Sequence, residues 1–396
     1  MTEPMILRGT VVTRDGLIAD GVVSVSGEFI DWVGPTAAFP GGGADGAGAN
    51  PAVPPPSDSV LVPGMVDVHC HGGGGYGFPD SPADGARYAA RHHLRRGTTT
   101  LLASLVSASP ERLLERIAML SPLVDDGTVA GLHLEGPFLA TECCGAQDPR
   151  FIIDGDPELL ARLLAAGGGR IRSMTVAPET PHFAELAMAL TAAGAVVSVG
   201  HTAGDFDTVT AGIAGAGGPV SITHLFNGMK PMHHRDPGAV AASLAAASRG
   251  AAVAELIGDG VHLAAGTVAL VLAAAGADHT AFVSDAMQAA GMPDGQYRLG
   301  PLDVTVGGGV ARLTTEDGSP GAIAGGTSSV LDVFARAVRL SGASLVEAAR
   351  AGATTPARLL GLTDRGALAA GLRADVLELD PDLTLRQVIR GGTPVE

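Results

Sequence analysis

The chain has 396 residues, more than one average domain requires and enough to bury a large core. Its formal net charge of −16 argues against nucleic acid or an anionic membrane surface as a partner, although a local cationic pocket could still bind an anionic small molecule. Hydrophobic residues make up 46% of the sequence and aromatic residues only 4%, so the core must be built mainly from Ala, Val and Leu.

Three cysteines, Cys70, Cys143 and Cys144, provide no evenly spaced disulfide framework and are typical of a reducing compartment. The first residues lack the basic start and apolar core of a signal peptide. The most apolar windows, such as residues 266–277, are too short to span a bilayer. The sequence therefore predicts a cytoplasmic protein that does not bind membranes.

Both ends of the chain have the period-two pattern of strands. Residues 5–34 alternate apolar and polar side chains, and a similar pattern returns at residues 374–390. A loop rich in Gly and Pro occupies residues 36–59. We expect the two ends to pair into one small β-sandwich domain formed by residues 1–59 and 364–396.

Between these ends, short β-rich runs alternate with amphipathic helical runs. The β-rich runs are residues 66–71, 98–106, 129–135, 171–177, 195–201, 220–227, 252–258 and 280–285. This pattern predicts a (β/α)₈ TIM-like barrel over residues 60–363, with catalytic groups on the loops after the strands. A doubly wound open sheet is the alternative. An insertion rich in Gly and Pro follows the last run at residues 287–326.

The first β-rich run ends in two histidines, His69 and His71. In an extended strand, side chains at i and i+2 point to the same side, so both imidazoles would be directed at one point. Two neutral nitrogen donors in this arrangement make half of a metal site. An isolated pair of this kind is more often an ordinary surface or core feature. Ligation is favoured here because other runs also end in His, Glu or Asp.

Four further candidates lie at or near the ends of the third, fifth, sixth and eighth runs. They are Glu135, His201, His224 and Asp285. Taken singly, a carboxylate at such a position is more often a charge at the start of a helix, and a histidine is more often hydrogen-bonded to neighbouring residues. Taken together, five candidate ligands would converge at one end of a barrel: His69, His71, Glu135, His201 and His224. Imidazole and carboxylate ligands suit Zn²⁺ or a related divalent ion, and five could hold one ion or two. His92, His93, His182 and His279 are predicted to be solvated.

The run Pro63–His71 resembles the first-strand signature of the amidohydrolase superfamily. Further segments are similar to those of one member family, the N-acetylglucosamine-6-phosphate deacetylases. These segments are residues 131–137, 200–202, 223–227, 259–262 and 284–286. The similarity extends over essentially the whole chain.

The resemblance implies metal-dependent hydrolysis of the acetamide of N-acetylglucosamine 6-phosphate to glucosamine 6-phosphate and acetate, in amino-sugar catabolism and cell-wall recycling. It implies that Asp285 accepts a proton from water and delivers it to the amine leaving group, and that His262 hydrogen-bonds the substrate. Further implied substrate contacts are Asn227, Gly228, Ala146, Gln147, Ala324 and Gly325. Arg235 matches an arginine that binds the sugar phosphate in the neighbouring subunit, which implies a homodimer.

Two features depart from the usual pattern of this family. Some members lack the first histidine pair and hold one metal, so the presence of His69 and His71 favours two ions. The loop after Glu135 carries Gln147 where the family usually has histidine; glutamine can still donate a hydrogen bond but cannot act as a cation. This loop therefore cannot stabilise the substrate carbonyl with a positive charge at residue 147.

Three alternatives are considered. Dihydroorotase- and hydantoinase-like enzymes use a carboxylated lysine that precedes the two later histidines, whereas the only lysine here, Lys230, follows His224. Another amidohydrolase could act on a different N-acyl sugar or a cyclic amide. A catalytically inactive barrel scaffold would purify without stoichiometric divalent metal, and it would not need the complete set of candidate ligands.

Overall fold

A computed structural model of the chain describes residues 4–40, 53–315, 317 and 319–396. Eight parallel strands form one continuous sheet in which each strand pairs with the next along the chain. In order, barrel strands one to eight are Met65–Asp67, Thr98–Leu105, Gly131–Glu135, Ile171–Val176, Val196–Val199, Val220–Ile222, Val253–Leu256 and Thr280–Phe282. Seven of the eight predicted runs contain one of these strands, and the predicted (β/α)₈ barrel is confirmed. The first run, residues 66–71, overlaps its strand only at residues 66–67; His69 and His71, expected within an extended strand, lie just after its end because the backbone bends at Val68.

Backbone hydrogen bonds just beyond the strands close the barrel between strand eight and strand one. The N–H of Asp285 donates to the carbonyl oxygen of His69 at 2.9 Å, and the N–H of His71 donates to the carbonyl oxygen of Ala286 at 2.7 Å. The closing seam of the barrel therefore runs through the segments that carry three candidate site residues.

Helices cover the outside of the barrel. They are Ala83–Leu94, Pro110–Asp125, Pro157–Gly167, Phe183–Ala192, Phe206–Gly215, Gly238–Ser248, Ala265–Ala275 and Val330–Leu340, followed by Leu345–Ala349 and Thr355–Leu359 with the π-helical turn Arg350–Thr354 between them. Polar side chains cap the N-termini of several of these helices. For example, the Asp156 carboxylate accepts hydrogen bonds from the N–H groups of Glu158 and Leu159 at the start of Pro157–Gly167. None of the helices in the described part of the chain is both long enough and apolar enough to cross a membrane.

The two ends of the chain form one separate seven-stranded sheet. Its strands are Met5–Val12, Leu17–Ser26, Phe29–Pro35, Val60–Pro63, Val376–Leu379, Leu385–Arg390 and Thr393–Pro394. The sheet curls so that Val23 and Ile30 share a small core with Ile389 from the opposite end of the strand order. Part of the predicted loop 36–59 lies outside the described residues.

The strand Val60–Pro63 lies in this end sheet and not in the barrel. It pairs in parallel with Met5–Val12 and antiparallel with Val376–Leu379, so it joins the two chain ends. The domain boundary expected between residues 59 and 60 therefore falls inside the sheet. The physical reason is that Leu61 is fully buried in the core of the sheet, where it packs with residues from both ends of the chain.

The insertion after strand eight forms a four-stranded antiparallel sheet. Its strands are Gly295–Leu299, Leu302–Gly307, Val310–Thr314 and Pro320–Ile323. The short strands Gly72–Gly73 and Tyr76–Gly77 form a small hairpin after His71, and 3₁₀ turns occur at Thr36–Ala38, Thr141–Cys143, Pro149–Phe151 and Ala277–His279. Leu299 from the insertion packs on Val106, directly after barrel strand two.

Alternate residues of the strand Val376–Leu379 serve different cores. Val376 faces the core of the end sheet, whereas Leu377 belongs to the large core shared with the barrel. A Cβ atom on Gly97, just before barrel strand two, would lie 2.9 Å from a Leu377 methyl carbon. Leu377 therefore attaches the end sheet to the barrel.

Leu377→Ala should lower the free energy of unfolding by about 2–5 kcal/mol, because it leaves a cavity at a fully buried contact between sheet and barrel. Urea unfolding of the purified protein measures this change. Leu17→Ala in the same sheet is the matched control, since Leu17 is 53% exposed, and its effect should stay within about 0.5 kcal/mol. Equal effects of the two substitutions would contradict the proposed attachment.

Candidate metal centre

Six side chains meet inside the carboxyl end of the barrel, as the sequence predicts. They form two groups of three, which we call the first trio (His69, His71 and Asp285) and the second trio (Glu135, His201 and His224). Within the first trio, the Nε2 atoms of the two imidazoles are 3.1 Å apart. Within the second trio, the two Nε2 atoms are also 3.1 Å apart. All six side chains are buried.

The Glu135 carboxylate lies between the two trios. Its Oε1 atom is 3.0 Å from Nε2 of His201 and 3.0 Å from Nε2 of His224. Its Oε2 atom is 3.1 Å from Nε2 of His71. One carboxylate thus has an oxygen directed at each group, which is the arrangement a bridging ligand between two cations requires.

Several backbone torsions at this end of the barrel are unusual for residues other than glycine. His201, His224 and Asp285 have φ values of 47°, 28° and 45°, and Phe226 has 81°. Left-handed backbone costs on the order of 1–2 kcal/mol for an ordinary L-residue. The turns after strands five, six and eight are therefore strained. They direct the side chains of His201, His224 and Asp285 into the carboxyl end of the barrel.

The carboxylates and imidazoles in the cluster stabilise each other's charged forms and so offset the cost of burying them. Burial alone would lower the pKa of His71, but the carboxylates of Asp285 and Glu135 outweigh it and raise the pKa. For Asp285 the effect of burial has the opposite sign, because it would raise the pKa of the carboxyl group. The neighbouring imidazoles of His69 and His71 outweigh burial and hold this pKa at about 2. Against the effect of burial, His69, His201 and His224 likewise hold the pKa of Glu135 well below its usual value, so both carboxylates stay ionised at neutral pH.

The donor set fits a divalent cation. Four imidazole nitrogens and two carboxylates converge with their ligand atoms directed at each other, an arrangement that hydrogen bonds alone satisfy poorly because facing Nε2 atoms can share only one proton. Imidazole and carboxylate together are the ligands of Zn²⁺ and related divalent ions.

Glu255, in barrel strand seven, is a supporting residue that the sequence analysis missed. Its Oε2 atom lies 3.3 Å from Nδ1 of His69 and 3.4 Å from the backbone nitrogen of His224. A carboxylate at Nδ1 favours a proton there and leaves Nε2 free to act as a ligand. The available signal was a charged residue within the apolar run Ala252–Gly258, which a buried strand rarely contains without a purpose.

Two other histidines occupy supporting positions. His133 is buried, with Nδ1 3.0 Å from Ser104 Oγ and Nε2 3.0 Å from Thr175 Oγ1. His93 was predicted to be solvated, and this is wrong: it is fully buried, and its Nε2 lies 2.8 Å from the carbonyl oxygen of Gly72. Burial lowers the pKa of His93 to about 4, so it is a neutral donor that holds the segment after His71.

A cavity of about 320 Å³ opens onto the two trios. Among the predicted substrate contacts, the residues that line it are Ala146, Gln147, Asn227, Gly228, His262 and Gly325. Gly228 has φ of 58°, and a Cβ atom there would lie 2.9 Å from Nδ1 of His201, so glycine allows this loop to approach the site.

The structure does not bring Ala324 or Arg235 to the cavity of its own subunit. Ala324 is fully buried in the core of the insertion, and its N–H donates to the carbonyl oxygen of Ala311. Arg235 lies on an exposed loop at residues 231–236, where Nη1 contacts Nε2 of His234 at 2.8 Å.

His262 is held by a carboxylate that the sequence analysis left without a role. Asp259 accepts hydrogen bonds from the N–H groups of Val261 and His262, and its Oδ2 lies 2.8 Å from Nδ1 of His262. Burial would raise the pKa of Asp259, but its hydrogen bond to His262 lowers it. The Nδ1–H of His262 therefore points to Asp259, and Nε2 is the atom available to the cavity.

The chain matches the Amidohydrolase family over residues 60–395. It is 33% identical over 340 residues to an N-acetylglucosamine-6-phosphate deacetylase of Lysinibacillus sphaericus, covering 85% of each chain. It is 34% identical over 335 residues to an N-acetylgalactosamine-6-phosphate deacetylase of Escherichia coli O157:H7, covering 83% of this chain and 86% of that one. A variant N-acetyl-D-glucosamine-6-phosphate deacetylase of Mycobacterium smegmatis, solved with N-acetyl-D-glucosamine-6-phosphate, superposes with a TM-score of 0.90 at 38% identity, with 100% of both chains covered.

Glu255→Met should weaken divalent-metal binding by about 10–100-fold, because the Nδ1–H of His69 loses its acceptor and the ring loses its orientation. Zinc retained after dialysis against increasing chelator concentrations measures this effect. Glu255→Gln keeps an acceptor oxygen and should retain zinc nearly as well as the unmodified protein. If the two variants lose zinc equally, orientation of His69 by hydrogen bonding is not the role of Glu255.

Proposed function

This chain belongs to the amidohydrolase family, and we propose that it hydrolyses the acetamide of N-acetylglucosamine 6-phosphate to glucosamine 6-phosphate and acetate. The observation that carries this proposal is the ionised Asp285 carboxylate, 3.3 Å from His71 and open to a cavity that is also lined by His262. The solved Mycobacterium smegmatis relative with this substrate supports the choice of sugar. The proposed role is in amino-sugar catabolism and cell-wall recycling.

We propose Zn²⁺ as the cation, held by one or both trios with Glu135 shared between them. The imidazole-rich donor set supports zinc over magnesium or calcium, which prefer oxygen ligands. When bound there, a divalent cation would lower the pKa of water towards about 7 and polarise the amide carbonyl.

Asp285 is the proposed proton carrier. Despite burial, the neighbouring imidazoles depress its pKa to about 2, so it is ionised at neutral pH. As an ionised carboxylate it would accept a proton from the water that attacks the acetamide carbon. It then delivers this proton to the amine nitrogen as the C–N bond breaks, so that acetate and the amino sugar leave. Asp285 has a positive φ at the closing seam of the barrel, and its Oδ1 lies 3.4 Å from Nε2 of His69 and 3.3 Å from Nε2 of His71.

His262 and the loop at Asn227 and Gly228 are the proposed substrate contacts. With Nδ1–H held by Asp259, a neutral His262 presents Nε2 as an acceptor for a sugar hydroxyl. Ala146 and Gly325 line the same cavity at backbone positions suited to hydrogen bonds.

Arg235 is proposed to bind the substrate phosphate in the active site of a partner subunit, which makes the enzyme a homodimer. It is exposed on the loop 231–236, and within the described residues it forms no ion pair with a carboxylate. A guanidinium group is well matched to a phosphate. We place the enzyme in the cytoplasm because Cys70, Cys143 and Cys144 are all free thiols.

A second candidate substrate is N-acetylgalactosamine 6-phosphate. It is favoured by the 34% identity to the Escherichia coli O157:H7 relative of that name. The two sugars are epimers, so they carry the same acetamide and the same phosphate.

Acetate release from N-acetylglucosamine 6-phosphate should be lost on chelation and restored by added Zn²⁺, because the proposed reaction requires a divalent cation held by one or both trios. A parallel assay with N-acetylgalactosamine 6-phosphate ranks the two substrates by kcat/KM. A higher kcat/KM for N-acetylgalactosamine 6-phosphate would identify it as the preferred substrate in place of N-acetylglucosamine 6-phosphate. Undiminished turnover after complete metal removal would reject the metal-dependent function.

Asp285→Asn should lower kcat by about 10²–10⁴-fold, since asparagine keeps the size of the side chain but cannot accept the proton. The second trio does not include Asp285, so the variant should still bind zinc, as measured by elemental analysis. Asp278→Asn, at the opposite end of barrel strand eight, is the matched control and should leave turnover unchanged. Near-normal turnover of Asp285→Asn would reject the proton-carrier role.

Mixing Arg235→Ala subunits with Asp285→Asn subunits should restore activity that neither variant has alone. If Arg235 acts across the dimer, a mixed dimer contains one site with both Asp285 and a partner arginine, so random exchange makes roughly a quarter of all sites functional. The rate of acetate release after subunit exchange measures this. No recovery, with mixed dimers demonstrated by native mass spectrometry, would place Arg235 in its own subunit or outside the reaction.

A further inference from the structure

Gln147 makes contacts that differ from its expected role as a substrate ligand. It is 4% exposed, and both ends of its amide are already engaged within the protein. Its Oε1 atom accepts a hydrogen bond from the N–H of Ser107 at 2.7 Å, and its Nε2 atom donates to Oε2 of Glu135 at 2.5 Å. The side chain thus connects the end of barrel strand two to the carboxylate shared by the two trios.

Chemistry fixes the orientation of this amide. A backbone N–H can only donate, so the atom facing Ser107 must be the amide oxygen. A flipped amide would place its oxygen against an ionised Glu135 oxygen and its NH₂ group against the Ser107 N–H. Both contacts would then be repulsive, and therefore only the orientation with NH₂ directed at Glu135 is compatible with the surroundings.

The loop that carries Gln147 supports the second trio at another point. Nδ1 of His201 lies 2.8 Å from the carbonyl oxygen of Cys143, and the N–H of Ala140 donates to the carbonyl oxygen of His201 at 2.9 Å. Two of the three members of the second trio, Glu135 and His201, are therefore held by this one loop. Support of the metal ligands is a property of the whole loop, to which Gln147 contributes the contact with the carboxylate.

We propose that Gln147 is a positioning residue that fixes the plane of the Glu135 carboxylate and so sets the affinity of the centre for its divalent cations. The terminal torsion of a glutamate has a broad energy minimum, so packing alone orients its two oxygens poorly. The amide donor at Oε2 keeps that oxygen on the side of His71 and leaves Oε1 to His201 and His224. This inference rests on the proposed function, since it assumes that the trios hold metal.

Gln147→Met tests the proposal, because methionine keeps the length of the side chain but neither donates to Glu135 nor accepts from Ser107. Zn²⁺ affinity of the chelator-stripped protein, measured by competition with a chromogenic chelator, should fall by about 10–100-fold, as is typical when a partner of a metal ligand is removed. The Co²⁺-substituted variant should show an altered visible absorption spectrum.

Gln288→Met is the matched control, because Gln288 accepts from the N–H of Arg298 within the insertion and does not contact Glu135. Its Zn²⁺ affinity should equal that of the unmodified protein. An unchanged Zn²⁺ affinity in Gln147→Met, with only KM raised, would show that Gln147 binds substrate; this overturns the inference and leaves the proposed function intact.

The remaining outcomes also decide the question. A lower melting temperature of the metal-free Gln147→Met protein, with unchanged Zn²⁺ affinity and Co²⁺ spectrum, would indicate a purely structural role and overturn the inference. If the unmodified protein binds no stoichiometric divalent metal, the proposed function fails and the inference fails with it. Reduced affinity in Gln147→Met, with Gln288→Met unaffected, supports the inference.

Discussion

The structure depends on one contact, the Glu135 carboxylate placed between two pairs of imidazoles. Its two oxygens lie 3.0–3.1 Å from the Nε2 atoms of His71, His201 and His224, which come from three different strand ends. Bringing six buried ionisable groups together is costly unless their charges compensate. A closed barrel meets this requirement, because the carboxyl ends of all its strands converge on one axis and a rigid core holds them there.

The same requirement explains where the backbone is strained and how the strain is sustained. His201, His224 and Asp285 adopt positive φ directly after strands whose side chains are fully buried, so the surrounding core can hold a conformation that would be unfavourable in a free loop. At Asp285 the strained residue also closes the barrel through its N–H bond to the His69 carbonyl. The geometry of the first trio and the closure of the barrel are therefore linked at one residue.

Much of the fold and of the metal centre could be predicted from sequence, because both leave local signals. Apolar runs mark the eight strands, and ligand-type residues directly after them mark the site. The missed features depend on contacts between distant segments. The carboxylate of Glu255 supports His69 from 186 positions away, and His93 is buried only because its helix packs on Gly72. The end-sheet strand at Val60–Pro63 is likewise defined by pairing with Val376–Leu379, which no local pattern indicates.

The charge of the centre also explains why chemistry and phosphate recognition would occupy different groups. In the described part of the chain, the residues that line the active-site cavity include Glu135 and Asp285 but no Arg or Lys. A cation-binding centre needs these carboxylates, yet they repel a sugar phosphate, and an arginine placed beside them would pair with them and compete with the metal. A cation that binds the sugar phosphate would therefore lie at a distance from the trios, as the proposed contribution of Arg235 from a neighbouring subunit requires. The net charge of −16 makes such a local cation more important, because the field of the whole protein does not attract an anionic substrate.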